Sequence, residues 1–393
     1  MHFGGILARF ILLFSLLYAA FGVLSPFFPS FLAARGLDPA AIAVVLAAGT
    51  AIRLLTVPLA GRISDRLQAT RAVLAVCIAV SSATALSYLS GWGFWPLLLL
   101  SLAAAVFLGP VASLADVLAL GAAAQSREPG KNSFDYGWVR GAGSAAFIVG
   151  SLIAGQAIGY FGLSITLVLQ AGLLALAAIS AAVVPQQPLP TAGATPQPDG
   201  QTSLQALRKI LAIPHYGRIA LVATLVFGSH AVHDSFAVIR WRDAGLGPEL
   251  ISLLWSESVA SEVIIFLLIG PKLLQRFGPR LVSALCAALG VLRWIVMAQT
   301  AWVPALVLVQ PLHGFTFALL HLACMYVLSQ IVPSGLAATG ITFFSTITAV
   351  ASVLLTLVAG LLYGQLGPAS FWAMAGLCAF AVPVALTLKL HKP

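Results

Sequence analysis

The chain has 393 residues, of which 60% are hydrophobic and only 8% charged, with a mean hydropathy of +1.03 and a formal net charge of +9. A soluble domain carries about a quarter charged residues, so this composition excludes one and points to an integral membrane protein. The apolar runs are also too long for the strands of a membrane barrel, which alternate over about 10 residues.

Taken in chain order, the predicted helices cover approximately 6–34, 39–60, 72–90, 95–121, 138–160, 163–184, 216–240, 249–270, 279–299, 302–329, 336–363 and 367–389. Each is close to or above the roughly 20 residues that cross about 30 Å of hydrocarbon. The expectation is therefore an all-α protein with about twelve transmembrane helices. Arg9 precedes the first apolar run in the manner of a secretory signal. That run is too long for one, and no small-residue cleavage site ends it before Pro26 and Pro29.

With these spans, Arg62, Arg66, Arg71, Arg127, Lys131, Arg208, Lys209, Arg218, Lys272, Arg276, Arg280, Lys389 and Lys392 share the side of the N-terminus. Only Arg35, Arg240 and Arg242 fall on the other. Cytoplasmic loops collect Lys and Arg, which puts both termini in the cytoplasm, of a bacterial inner membrane by expectation. The basic excess then reports topology, and no nucleic-acid partner is implied. The four cysteines, Cys77, Cys286, Cys324 and Cys378, are scattered through predicted helices with neither disulfide nor metal spacing. No cofactor and no metal are expected, and the protein is read as a monomer whose partners are lipid, a small-molecule substrate and protons.

Residues 185–214, rich in Pro, Gly, Gln and Thr, read as a cytoplasmic linker. They divide the chain into an N-terminal six-helix bundle, 1–184, and a C-terminal one, 215–393. A weak repeat supports the division. GRISDRLQATR (61–71) follows the second helix and GPKLLQRFGPR (270–280) the eighth, each running from Gly to Arg at the same place in its half. Two-fold repeats of this kind are the pattern of transporters that rock one bundle against the other around a midplane site.

A charge at bilayer depth costs at least about 2.5–3.5 kcal/mol, so each one needs a partner, water or a function. Within the spans lie the acids Asp116, Asp234, Glu257 and Glu262 and the bases Arg53, Arg140 and Arg293. One acid is thus left without a permanent cation, and such a carboxyl is a candidate proton carrier. His230, His233 and Asp234 in GSHAVHDSFAVIR stand at i, i+3 and i+4 on one helical stripe. Trp255, Ser258 and Glu262 share another, from which Glu257 points away. Interhelical hydrogen bonding is the bland reading of the His230 stripe, and a structural ion pair is that of Asp116 with Arg140. A metal site is poorer, for want of a further soft ligand.

GRISDRLQATR resembles the loop motif of the major facilitator superfamily, in which Gly61, Asp65 and Arg66 would lock helix ends together, with Arg71 one place late. Gln68, Ala69 and Thr70 stand where that motif has a small residue and a basic pair. FDYGWVRGAGSAAFIVGS (134–151), SHAVHDSFAVIRWRDAGL (229–246), LLWSESVASEVIIFLL (253–268), GVLRWIVM (290–297) and QPLHGFTFALLHLACM (310–325) resemble the phenylpropionate permease branch. More remotely they resemble lactose permease and the nucleoside–proton symporters. The resemblance implies two pseudo-symmetric six-helix bundles. From lactose permease it implies substrate contact by Asp116 and Arg140, and a proton site near Arg293 and His313. The acid that should follow that histidine by one turn is Thr316 here. Proton coupling would then fall to Asp234 or Glu262, with His230, His233 or His313 as relays.

A small aromatic carboxylate needs a cation and a ring slot. Arg140 and Arg293 are the candidate clamps, and Trp138, Trp255, Phe236 and Tyr18 the candidate slot. Gly141, Gly143 and Ser144 are expected to let helices pack closely. The reading is a proton-coupled symporter taking up a small organic acid, with GSHAVHDSFAVIR facing the central cavity between the bundles. A sugar or nucleoside symporter, a drug-efflux antiporter, and a non-transporting receptor or membrane chaperone are the alternatives. No nucleophile–base arrangement, phosphate-binding Gly loop or metal motif suggests an enzyme.

Overall fold

The computed structural model describes residues 3–126, 135–186 and 208–388. Most of the expected linker 185–214 lies outside the described residues, as do the loop cations Arg127, Lys131, Lys389 and Lys392. Among the described residues every regular element is helical. The first eight helices are α1 (Phe3–Leu24), α2 (Phe28–Ala34), α3 (Pro39–Leu67), α4 (Thr70–Ser87), α5 (Phe94–Leu108), α6 (Val111–Ser126), α7 (Tyr136–Phe161) and α8 (Ile165–Val183). They are followed by α9 (Tyr216–Gly228), α10 (Ala231–Asp243), α11 (Pro248–Ile264), α12 (Gly270–Gln299) and α13 (Val303–Val309). The last three are α14 (Leu320–Ile331), α15 (Ala337–Leu366) and α16 (Ser370–Leu386).

Among the described residues ten helical runs are long and apolar enough to cross a membrane. Two of them, Pro248–Gln299 and Ala337–Leu386, have 52 and 50 residues, far more than one crossing needs. Each is interrupted by a glycine at positive φ, Gly278 (φ 75) and Gly367 (φ 53), a conformation that costs glycine little. The ten runs are therefore consistent with the twelve crossings expected from the sequence.

Contacts divide the chain into two compact units. One comprises Met1–Leu37, Ala48–Thr195 and Gly247–Leu253; the other comprises Asp38–Ala47, Pro196–Leu246 and Leu254–Pro393. In the first, α1 packs on α7 and α8, and α4 on α8 and α5, around buried Phe10, Phe14, Leu17, Leu114, Val139 and Leu174. Hydrocarbon is as apolar as leucine, so close packing rather than burial from water holds such helices together. The α1 and α7 backbones touch where a side chain on Gly22 would meet the Phe147 carbonyl and one on Gly150 the Ala19 carbonyl. The sequence reading put this role at Gly141, Gly143 and Ser144. A Cβ on Gly143 would stand 3.0 Å from the Tyr18 ring, but the space beside Gly141 is open.

In the second unit α12 packs on α16 and α14, α9 on α16 and α15, and α10 on α15. Its interior holds Tyr216, Phe236, Trp241, Trp294 and Phe371, all fully buried. Departures from regular helix shape this unit, and the first two have a local cause. Between α9 and α10, Ser229 Oγ donates to the Val226 carbonyl at 2.6 Å, and His230 Nδ1 lies 3.0 Å from the same oxygen. Side chains that take backbone carbonyls in this way compete with the helix ladder. Pro311, which lacks a donor, separates α13 from the turn Leu312–Gly314. Finally, π-helical turns occupy Ile265–Ile269 and Phe315–Leu319, and such turns are frequent at functional sites.

Candidate functional site

Arg293 is fully buried in the second unit, and the network around it follows from its five donors. Its Nη1 lies 2.9 Å from His313 Nδ1, and its Nη2 lies 3.2 Å from His233 Nε2 and 2.9 Å from Gln310 Oε1. A guanidinium only donates, so both ring nitrogens facing it must accept. Each imidazole hydrogen is then on the opposite nitrogen. His313 Nε2 donates to Glu262 Oε1 at 2.7 Å, and His233 Nδ1 donates to Asp234 Oδ1 at 3.0 Å. One cation is thus joined to two carboxylates through two neutral imidazoles of fixed tautomer. Glu262 lies at the enclosed end of this chain, with 22% side-chain exposure, and Asp234 at the open end, with 59%.

The surroundings hold these groups in place. Trp255 stacks on His233 with centroids 5.2 Å apart, and Phe317 stacks on His313 at 5.7 Å. The Arg293 guanidinium lies 4.5 Å from the Trp294 ring, and Trp294 Nε1 donates to Ser229 Oγ at 2.8 Å. Gln310 is positioned by Ser258 Oγ, which donates to its Oε1 at 3.0 Å. His230 Nε2 lies 3.0 Å from Thr316 Oγ1, and its ring centroid is 5.0 Å from that of His313. Hence His230, His233, Asp234, Glu262, Arg293 and His313, six of the residues singled out in the sequence, lie in one network. His321 stays outside it, beside Phe266.

The first unit holds Tyr18, Asp116, Trp138 and Arg140. Arg140 is exposed, with its guanidinium 4.7 Å from the Tyr18 ring centroid. The pairing of Asp116 with Arg140 considered from the sequence is not formed. Asp116 accepts instead from the Tyr136 hydroxyl at 2.6 Å, and among the described residues no carboxylate lies within ion-pair distance of Arg140. Trp138 is 71% exposed. Phe236, in the second unit, is fully buried and stacked on Tyr363 at 4.5 Å, which makes it part of the packing.

Around the motif loop, Ser64 Oγ donates to Thr70 Oγ1 at 2.7 Å, while Asp65 and Arg66 are exposed and space beside Gly61 is open. Gln68, where the superfamily motif has a small residue, adopts φ 50. Its carbonyl accepts from Gln186 Nε2 at 2.5 Å, and the Arg71 amide donates to Gln186 Oε1 at 3.2 Å. The loop is thereby tied to the chain just beyond α8.

Sequence reasoning missed Gln310 and Tyr136. The signal for Gln310 was its place beside a helix-breaking proline in an apolar run; Tyr136 had none, since nothing in the sequence brings it to Asp116, twenty residues away.

Residues 7–374 match the MFS_1 like family. The chain is 31% identical over 370 residues to the probable 3-phenylpropionic acid transporter of Escherichia coli (strain K12), covering 91% of both chains. A mutant of the nucleoside transporter NupG, 18% identical, superimposes with a TM-score of 0.84 over 97% of this chain and 99% of that one. The D-xylose-proton symporter, 13% identical, does so with 0.68 over 98% of each. These last two likenesses concern the fold, and with the match along most of its length the chain belongs to the MFS_1 like family, within the major facilitator superfamily of membrane transporters.

Proposed function

We propose that this transporter takes up a small organic carboxylate, phenylpropionate-like and aromatic, together with a proton by alternating access in a bacterial inner membrane. The observation that carries the proposal is the arrangement of one buried guanidinium between two carboxylates through two imidazoles. With both acids ionised this network has one negative charge too many, which a transported proton neutralises. The named relative provides the substrate class.

The hydrogen-bond geometry supplies a coupling step. A proton on Glu262 Oε1 turns that oxygen from acceptor to donor, so His313 Nε2 must accept and the ring hydrogen moves to Nδ1. Nδ1 then no longer accepts from Arg293, and an Nη1 hydrogen becomes free for an anion. Asp234, the exposed end, exchanges protons with water, and His233 ties it to the network. His230, hydrogen-bonded to Thr316, lies beside His313 as a further relay. Arg140 over Tyr18, with Trp138 as a ring face, serves as the first receiver of the substrate carboxylate. Carrying the proton with the anion removes the cost of about 2.3 kcal/mol per charge per 100 mV of membrane potential. At the loop, Gly61, Asp65, Arg66 and Arg71 act as the conformational lock.

The test is uptake of radiolabelled 3-phenylpropionate into proteoliposomes with and without an inward proton gradient. Accumulation above the external concentration only with the gradient is the expected result. Equal, non-accumulating signals in both would remove the symport reading and bring sugars and nucleosides forward as substrates.

A further inference from the structure

Arg240, in the last turn of α10, belongs to the cations that topology alone explains, and such an arginine normally extends its head to water. Here it does not. Its exposure is 7%, and Nη1 is sealed from solvent with no hydrogen-bond partner. No carboxylate lies within ion-pair distance of its guanidinium among the described residues. Its neighbour Arg242, one position from the helix end, is exposed and shows that the local backbone permits escape to water.

What surrounds Arg240 is aromatic. The guanidinium lies 5.7 Å from the Phe371 ring and within electrostatic reach of Tyr363, which carries Phe236 on its face at 4.5 Å. Phe371 in turn stacks on Trp294 at 5.9 Å, whose ring lies against Arg293 at 4.5 Å. Two arginines therefore stand at opposite ends of one stacked pair of rings. Arg293 has acceptors on both Nη atoms and lacks one only at Nε, whereas among the described residues Arg240 has no hydrogen-bond acceptor. A cation–π contact and the negative end of its own helix lessen the cost of burial, but neither takes up an N–H. A buried, unpaired guanidinium beside ring faces is the chemistry that recognises an aromatic carboxylate.

We propose that Arg240 is a carboxylate-recognition residue, a second anion site separated from the Arg293 network by Phe371 and Trp294, which takes the carboxylate of an aromatic acid. This rests on the carboxylate-transporter reading for its substrate class. Among the described residues no hydrogen bond holds Arg240 Nη1, so turning the side chain presents it to the ligand. An unpaired buried cation also destabilises the empty protein, and this separates a recognition role from a structural one.

The experiment titrates the purified full chain with 3-phenylpropionate, phenylacetate and benzoate, and with neutral 3-phenylpropanol, reading tryptophan fluorescence and thermal unfolding in parallel with proteoliposome uptake. Arg240→Gln should weaken carboxylate binding about tenfold or more, leave the alcohol unaffected and raise the Tm of the empty protein. Arg240→Lys should hold the loss to a few-fold. Unchanged carboxylate affinity in Arg240→Gln, or a fall in Tm without a change in affinity, overturns the proposal while uptake by the wild type leaves the transport reading intact. Carboxylate binding that depends on Arg240 in a protein showing no gradient-driven uptake supports the site and removes the symport reading. A wild type that binds none of the three acids overturns the site.

Discussion

Glu262 and His313 meet at 2.7 Å because Gly314 allows the turn that carries the histidine to rest on the backbone of Ser261. The Gly314 amide donates to Ser261 Oγ at 3.1 Å, and a Cβ on Gly314 would stand 2.7 Å from the Ser261 carbonyl oxygen. Backbone cannot give way as a side chain can. Gly314→Ala should therefore cost about 1–3 kcal/mol of stability and separate the acid from the imidazole. A lower Tm accompanied by weaker gradient-driven accumulation is expected; normal accumulation would show that the Glu262–His313 contact is dispensable.

The two ends of the network should behave differently when neutralised. Glu262→Gln keeps an oxygen that accepts from His313 Nε2, so the fold survives, but no proton can be taken up there. Substrate exchange across the membrane should continue while accumulation against a gradient disappears. Asp234→Asn likewise still accepts from His233, and as the entry point it should slow the initial rate without lowering the final level. Measuring both rate and plateau for each variant checks the assignment, and an Asp234→Asn protein that loses the plateau would exchange the two roles.

Gln310 is fully buried, and its Oε1 takes hydrogen bonds from both Arg293 and Ser258. Gln310→Leu leaves a buried guanidinium donor and a buried hydroxyl without that acceptor. Bonds to charged groups contribute about 1.5–3 kcal/mol, so a loss of at least about 2 kcal/mol is expected, read as a fall in Tm. Ser258→Ala removes only the neutral donor and should cost less than half as much.

Gln68 adopts a left-handed conformation, φ 50, at the C-terminal end of α3, where glycine is the usual residue. A side chain there costs about 1–2 kcal/mol, partly offset by its Nε2 donating to the Asp65 carbonyl at 2.7 Å. Gln68→Gly should be neutral to stabilising by about 1 kcal/mol, visible as a raised Tm, whereas Gln68→Val should lower it.

These cases mark how far the sequence could be read. The helices were legible because hydrocarbon demands long apolar runs with internally satisfied backbones, and the charges of the network were legible because each is costly at that depth. What stayed hidden were the partners. Helical spacing set His233 and Asp234 side by side, but nothing local reveals that Gln310 answers Arg293, that Tyr136 takes Asp116 from Arg140, or that Arg240 turns inward while Arg242 does not. Those depend on which helices touch, and in a bilayer that is settled by small residues such as Gly150 and Gly314, whose roles emerge only from the neighbour that each one meets. Even the motif departure at Gln68 read as a weakened match, until its backbone angle explained why a small residue is preferred there.

Arg140 and Arg293 carry the same charge in opposite settings, and the contrast gives the last prediction. Arg293 is fully buried with its hydrogen bonds shared among His233, His313 and Gln310, so its removal strands those acceptors and both carboxylates. Arg293→Gln should lower the Tm markedly and abolish accumulation. Arg140 is exposed over Tyr18 with no carboxylate partner among the described residues, so the fold owes it little. Arg140→Gln should leave the Tm nearly unchanged and raise KM for the carboxylate about tenfold or more, the loss expected when one charge-assisted contact is removed. Arg140→Lys keeps the charge but not the planar fork, and should fall between the two. An Arg140→Gln protein with unaltered KM would take Arg140 out of substrate recognition and leave the anion to the second unit.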